Sequence, residues 1–372
     1  MPNTIRLSKS CIGEQEKNAV MRVLDAGYLG MGQEVMLFEK DLSDFLSNKM
    51  HVACVSTGTS ALHLALQACG ISEEDEVLVP SITYVASFQA ISATGAKPVA
   101  CDIDLSNGCL DLENAKKKMT SKTKAIMYVH YASGVGDRDD VFAFAQEFGL
   151  RVIEDAAHSF GGYYKNKRIG EDGDVICFSF DGIKNITCGE GGAVVSSDIN
   201  VIEKIRDLRL LGVKKDTENR YAGKRSWDFD VEDQGWRYHM SNVNAAIGRE
   251  QLKKIDHFAQ KKRSLVALYL EQLKDLPVKI LDLHFNDIIS HIFPVLIFNQ
   301  KRDLLKEFLF QQNIETGIHY KPNHLLTKYK DVGYPNAEIF GECLLSLPLH
   351  VDLNEEDILR VTSLIKVFFE TS

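Results

Sequence analysis

Residues 151–196 read RVIEDAAHSFGGYYKNKRIGEDGDVICFSFDGIKNITCGEGGAVVS. Three β-rich runs lie inside this stretch: RVIED (151–155), DVICFSF (174–180) and GAVVS (192–196). Each breaks off in Gly, Asp or Ser, the composition of strand ends and turns. Asp155 closes the first run, Ser179 lies in the second, and Lys184 stands just past it among glycines. In open α/β sheets, ligands bind beyond the carboxyl ends of the strands. The pattern therefore predicts an acid, a hydroxyl and a lysine converging on one site.

Upstream the same strand composition recurs. HVACVS (51–56), EVLVPS (76–81), KPVACDID (97–104) and KAIMYVH (124–130) read as strands. SALHLALQAC (60–69), TYVASFQAISATG (83–95), LDLENAKKKM (110–119) and RDDVFAFAQEFG (138–149) read as helices between them. Such alternation specifies βαβ units and a mostly parallel sheet. The strand runs show little polar alternation, as expected of strands covered on both faces. The runs at 174–180 and 192–196 follow with short connections and are expected to extend or close that sheet. Residues 14–48 read as helical with a break at AGYLGMGQ (26–33), residues 201–236 as irregular and charged, and 241–276 as one long helix. VKIL, HIFPVLIF, RDLLKEFLFQQN and ILRVTSLIKVFF then hold enough apolar residues for a smaller α/β unit. With 372 residues the chain is long enough for two domains. The expected division is 1–247 for a large domain and 248–372 for a small C-terminal one.

A net charge of −9, from 43 basic and 52 acidic residues, argues against a general nucleic-acid binder. The eight cysteines show no metal-type spacing, and several lie in apolar runs, as reduced buried thiols of a cytoplasmic protein do. The first residues lack an apolar signal core, and the uncharged stretch 77–96 is too polar for a membrane span. No metal site, nucleic-acid partner or membrane partner is expected.

Each candidate residue also has an ordinary reading. Lys184 can simply belong to a tight turn joining two strands, although the glycines after it permit close backbone approach to a ligand. Asp155 can cap a helix or partner a protonated ring nitrogen. His158 can be a packed histidine or a cofactor contact. Thr57-Gly58-Thr59-Ser60, between a strand and a helix, suits ordinary capping and an anion site equally. No GxxxxGK[ST] or GxGxxG motif occurs, so neither a Walker loop nor a nicotinamide fold gains support. Taken together the residues supply an anion cradle, a carboxylate for a cationic ring, a hydroxyl and a Schiff-base lysine. That set matches pyridoxal 5'-phosphate (PLP), and Tyr84 is placed to offer a flat face to its ring.

The chain resembles the nucleotide-sugar aminotransferases of the DegT/DnrJ type, within the fold-type-I, aspartate aminotransferase-like PLP enzymes. The resemblance spans nearly the whole chain. It rests on GYLGMGQEVMLFE, STGTSALHLAL, SITYVASFQAISATGAKPVACDID, VIEDAAHSFGG, FSFDGIKNITCGEGGAVV, MSNVNAAIG, IHYKP and LSLPLH in that order. It implies that Lys184 is the Schiff-base and catalytic lysine and that Asp155 pairs with the ring nitrogen. Gly58, Thr59 and Ser179 would hold the phosphate, Tyr84 would stack on the ring, and His158 would lie beside it. The loop carrying Tyr28 and Leu29 and the turn carrying His319 and Tyr320 would border the substrate. The implied reaction moves an amino group from L-glutamate to a nucleotide-linked keto-deoxyhexose, read as dTDP-4-keto-6-deoxyhexose, for surface polysaccharide such as O-antigen or a glycosylated product. The implied assembly is a homodimer with shared sites.

One departure stands out. Arg237 occupies the position where relatives carry an asparagine that reaches toward the neighbouring subunit's phosphate. A guanidinium can bind the same anion, or Arg237 can be an unrelated surface residue. Three rivals remain: a keto-sugar dehydratase, which carries histidine in place of the lysine; a 3-keto-sugar aminotransferase; and a PLP-binding regulator without turnover. Lys184 argues against the first.

Overall fold

The computed structural model describes residues 4–224 and 227–371. Helices α1 (Glu14–Ala26) and α2 (Gln33–Phe45) open the chain. Strands and helices then alternate: β1 (His51–Val55), α3 (Gly58–Ala68), β2 (Glu76–Pro80), α4 (Val85–Ala93), β3 (Lys97–Cys101), α5 (Leu112–Lys118), β4 (Thr123–Val129), α6 (Arg138–Phe148) and β5 (Arg151–Asp155). A small hairpin, β6 (Tyr163–Tyr164) and β7 (Lys167–Arg168), precedes β8 (Val175–Ser179) and β9 (Gly192–Ser196). Next come α7 (Ile199–Leu208), α8 (Asp216–Tyr221), α9 (Asn242–Leu252) and α10 (Ile255–Leu273). The chain ends with β10 (Lys279–Ile280), β11 (Phe293–Leu296), α11 (Arg302–Gln311), α12 (Pro335–Cys343), β12 (Leu344–Leu347) and α13 (Glu355–Thr371).

Seven strands form one sheet in the order β1-β9-β8-β5-β4-β2-β3. The pairs from β8 through β5, β4 and β2 to β3 are parallel, whereas β9 runs antiparallel to both β8 and β1. The two runs expected to extend or close the sheet instead stand inside it, with β9 as its one reversed strand. Alternate residues feed opposite faces. Ala53, Val79, Ile153 and Cys177 join a core beneath α3, α4 and α7. Cys54, Ile176 and Phe178 join a second core against α2, and Leu78, Ile126 and Val152 a third against α5 and α6. Burying each large apolar side chain contributes roughly 1.5–3 kcal/mol, which explains why these strands read as unbroken apolar runs.

The second sheet, β10-β11-β12, is antiparallel. Its core draws on α10, α11 and α13 and also takes Ile5 from the N-terminal segment. Two expectations need correction. The long helix over 241–276 is two helices, because α9 packs on α1 and α2 while α10 packs on α13. At the break Gln251 donates to the Cys11 carbonyl (2.8 Å) and Glu16 (2.7 Å), and Lys254 pairs with Glu16 (2.6 Å). The stretch 201–236 is also less irregular than it reads: α7 buries Val201, Ile202, Ile205 and Leu208 at helical spacing. All eight cysteines are free, and no helix of the described residues is long and apolar enough to cross a membrane.

Candidate active site

A cavity of ≈ 490 Å³ opens at the carboxyl edge of the large sheet. Gly58, Thr59, Tyr84, Asp155, His158, Ser179, Lys184, His319 and Tyr320 all line it. Five of them stand directly at strand ends. Asp155 and Ser179 are the last residues of β5 and β8, Gly58 and Thr59 open α3 after β1, and Lys184 follows β8.

One end of the cavity is built for an anion. Thr57 caps α3, its hydroxyl accepting from Ser60 N–H (3.0 Å) while the Ser60 hydroxyl accepts from Thr57 N–H (3.0 Å). Capping thus accounts for Thr57 and Ser60. The N–H groups of Gly58 and Thr59 have no protein partner among the described residues. Gly58 must be glycine, since a Cβ there would lie 2.7 Å from Ser179 Cβ. That contact brings the Ser179 hydroxyl against the first turn of α3. Two free amides, a hydroxyl and the positive end of a helix dipole form one cradle.

At the other end the Asp155 carboxylate is buried. It accepts from the Ser87 hydroxyl (2.7 Å) and from Ala157 N–H (3.3 Å). No helix begins after it, so helix capping does not explain it. Burial raises its pKa, opposed by Ser87, Ala157 and the charge of Lys184, so it is poised for a cationic partner. The neighbouring Glu154 is held by His130 (3.0 Å) and by Arg138 through two bonds (2.6 and 2.9 Å), which fixes the end of β5. Lys184 Nζ lies 3.3 Å from His291 Nε2. Burial pulls the Lys184 pKa down to about 8, against the pull of Asp155 and Asp181. His158 Nε2 meets the Tyr320 hydroxyl (3.1 Å), and its ring packs on His291 with centroids 4.5 Å apart. Burial and the Lys184 charge keep both histidines neutral. Tyr84 is exposed, its ring 5.5 Å from that of Tyr320.

Three sequence-level candidates are not brought into this cavity. Tyr28 and Leu29 lie on the loop that Asn242 holds through the Tyr28 and Leu29 carbonyls, and Tyr28 borders a separate groove with Arg220 and Tyr221. Arg237 is exposed and pairs through its backbone with Leu210. Other residues were missed. Thr83 and Ser87 form a hydroxyl chain to Asp155 (2.8 and 2.7 Å), and their place just before and within α4 offered no motif. His291 reaches the cavity from ahead of β11, far along the chain. Tyr131 donates to the His319 carbonyl from a turn where Ala132 and Ser133 have positive φ.

The residues fit PLP: the cradle around Gly58 suits a phosphate, buried Asp155 suits a protonated ring nitrogen, and Lys184 suits an aldehyde. The sequence model of the DegT/DnrJ/EryC1/StrS aminotransferase family matches residues 10–366. An uncharacterised protein of Methanocaldococcus jannaschii is 35% identical over 370 residues, covering 96% of each chain. Helicobacter pylori PseC, an aminotransferase involved in the biosynthesis of pseudoaminic acid, is similar in structure with a TM-score of 0.91. It is 29% identical, and the match covers 100% of both chains. A Streptococcus pneumoniae protein described as a sugar aminotransferase, solved in its PLP form, gives a TM-score of 0.90 at 27% identity over 99% of each chain.

Proposed function

The chain belongs to the DegT/DnrJ/EryC1/StrS aminotransferase family, and on that premise we propose that it transfers an amino group from L-glutamate to a nucleotide-linked 4-keto-6-deoxyhexose carried on dTDP. It is a sugar aminotransferase and its cofactor is PLP. The observation that carries the residue roles is the meeting of Lys184, Asp155 and the Gly58–Thr59–Ser179 cradle around one cavity.

Bound there, PLP supplies an aldehyde that condenses with amines and a ring that takes up the electron pair released when a Cα–H bond breaks. The Gly58 and Thr59 N–H groups and the Ser179 hydroxyl bind the phosphate. Asp155, oriented by Ser87 and the Ala157 N–H, keeps the ring nitrogen protonated. Tyr84 covers the ring, and His158 lines its surroundings together with Tyr320. Lys184 Nζ is the covalent anchor. With the cofactor in place, Nζ would also serve as the base that takes the proton from the donor's Cα. Burial serves that role because an amine with a pKa of about 8 is partly uncharged near neutrality. His319 and Tyr320 border the substrate. Tyr28, Leu29 and Arg237 lie apart from their own chain's cavity and act on a partner's site in a homodimer. Arg237 has no ion pair among the described residues, which leaves its guanidinium free for a phosphate. The division into a large unit, 1–247, and a small C-terminal unit, 248–372, belongs to the same reading, with Ile5 packing into the core of the smaller one. A cytoplasmic location and a place in surface-polysaccharide synthesis complete it.

The test is direct. The PLP-loaded protein is incubated with L-glutamate and a panel of dTDP- and UDP-linked 3-keto and 4-keto sugars, and the aminated carbon is assigned by NMR. Nitrogen at C4 of a dTDP sugar is the expected result. Amination at C3, or loss of a hydroxyl without nitrogen transfer, overturns the proposed substrate.

A further inference from the structure

The turn that carries Tyr84 is held from far along the chain. Residues 81–84 run from the end of β2 to the start of α4 without regular structure. Asn323 opens a single 3₁₀ turn, Asn323–Leu325, and is 1% exposed. Its backbone N–H donates to the Ser81 carbonyl (2.9 Å). Its side-chain Nδ2 donates to the same carbonyl (3.1 Å) and to the Thr83 carbonyl (2.7 Å). Beside it, His324 Nδ1 bonds the Ser81 hydroxyl (2.7 Å), and the His324 ring stacks on Tyr334 with centroids 4.3 Å apart.

Among the described residues no other donor reaches the Thr83 carbonyl. Asn323 Oδ1 has no partner among them either. The two donated bonds therefore set which way the amide faces, since the flipped amide would put an acceptor against two carbonyl oxygens. A peptide unit is planar, and the Thr83 carbonyl shares one with the Tyr84 N–H. A bond to that carbonyl fixes the plane from which the Tyr84 Cα departs. The Tyr84 side chain needs this support. Tyr84 is 57% exposed, and its one ring contact among the described residues is Tyr320 at 5.5 Å. Packing holds the ring weakly, so the backbone decides where it stands.

The stretch that ends in Asn323 also carries His319 and Tyr320. These are tied elsewhere, His319 Nδ1 to the Ser346 hydroxyl (2.9 Å) and the Tyr320 hydroxyl to His158 (3.1 Å). Asn323 itself does not line the cavity, yet it joins the wall bearing Tyr84 to the wall bearing Tyr320. We propose that Asn323 is a positioning residue for Tyr84: its amide holds the Thr83–Tyr84 peptide plane so that the ring stands over the cavity. The consequence for the cofactor rests on the reading of Tyr84 as the cover of the PLP ring; the clamp itself does not.

The experiment compares Asn323→Ala, Tyr84→Ala and the double variant with the parent. Absorbance titration of the PLP-free proteins gives the affinity for PLP. Each single change should weaken it by about three- to tenfold. The double variant should bind no more weakly than Tyr84→Ala, because the clamp acts through that ring; independent effects would instead multiply. Hydrogen exchange on the cofactor-free protein gives a second reading. Exchange in the segment 81–88 should quicken by about three- to tenfold in Asn323→Ala while β8 keeps its parent rate. If the alanine variant fails to fold, Asn323→Leu, which fills similar space without a donor, is read in its place with the same expectations. A double variant weakened by the product of the two single losses overturns the proposal. So does parent exchange at 81–88, and so does parent PLP affinity in Asn323→Ala beside a weakened Tyr84→Ala. Parent affinity in Tyr84→Ala would instead sink the reading of Tyr84 as the ring's cover and leave the exchange result to decide the clamp.

Discussion

Replacing Gly58 with alanine probes the anion end of the site through one methyl group. The added Cβ would meet Ser179 Cβ at 2.7 Å, its Oγ at 2.9 Å and its Cα at 3.3 Å. Ser179 has nowhere to go. It is buried at the end of β8 opposite Gly192, and a Cβ on Gly192 would itself lie 2.4 Å from the Thr57 carbonyl oxygen. Two effects oppose each other. Alanine favours a helix over glycine by up to about 1 kcal/mol in an interior turn, and by less at the first position. Overpacking costs about 1–3 kcal/mol, so the clash wins and the first turn of α3 shifts. The shift moves the Gly58 and Thr59 N–H groups off the phosphate position. A hydrogen bond to a charged group contributes roughly 1.5–3 kcal/mol. Losing one weakens PLP binding by about 10- to 150-fold. Absorbance titration of the PLP-free protein measures this, with a cofactor-free thermal melt as the stability control. A PLP affinity equal to that of the parent, in a variant that melts normally, would show that the phosphate is held elsewhere.

Lys184→Ala should still take up PLP, but borohydride should no longer fix it to the chain and turnover should vanish; residual full activity refutes its role. Glu154→Gln leaves the buried Arg138 with Asp172 (3.0 Å) as its remaining carboxylate partner, so thermal melting should show a loss of about 1–3 kcal/mol, and an unchanged melt would deny that this network holds β5 in place. Uptake of PLP by the cofactor-free protein should quicken by about tenfold per pH unit on the acid side of pH 8, because only the uncharged Lys184 amine attacks the aldehyde; a flat uptake rate from pH 6 to 8 in stopped-flow traces contradicts this. Lys262 has a folded pKa of about 7, below its unfolded value of 10.5. The unfolded chain therefore binds more protons between those values, and the stability it contributes is lost as pH falls through that window. The cofactor-free melting point should rise with pH across it, more steeply than in Lys262→Met; equal slopes would place the titration elsewhere.

Much of this was legible from residue order. Turn residues after short apolar runs locate Asp155, Ser179 and Gly58 at strand ends, because a parallel sheet exposes only those ends to a ligand. What escaped depended on contacts distant in sequence. Ser87 lies inside an apolar helix, and its value comes only from Asp155 standing opposite. His291 and Lys262 belong to the C-terminal part of the chain and reach Lys184 through folding alone. The break at 253–254 was hidden because apolar spacing continues across it while the packing partners change. The reversal of β9 was equally invisible, since a fully buried strand reads the same in either direction.

That reversal has a kinetic meaning. Ser179 and Gly192 sit side by side in neighbouring strands, so the segment 180–191 leaves and re-enters the sheet at one edge. Lys184 rides on a short tether pinned at both ends. On the role proposed above for Lys184, this tether would keep its amine within reach of the cofactor instead of releasing it to solvent. Well-oriented intramolecular partners attain effective molarities of about 10⁵–10⁸ M, a concentration that no dissolved amine can rival. Each cycle can then close on the same lysine, with β8 and β9 as the clasp that brings it back.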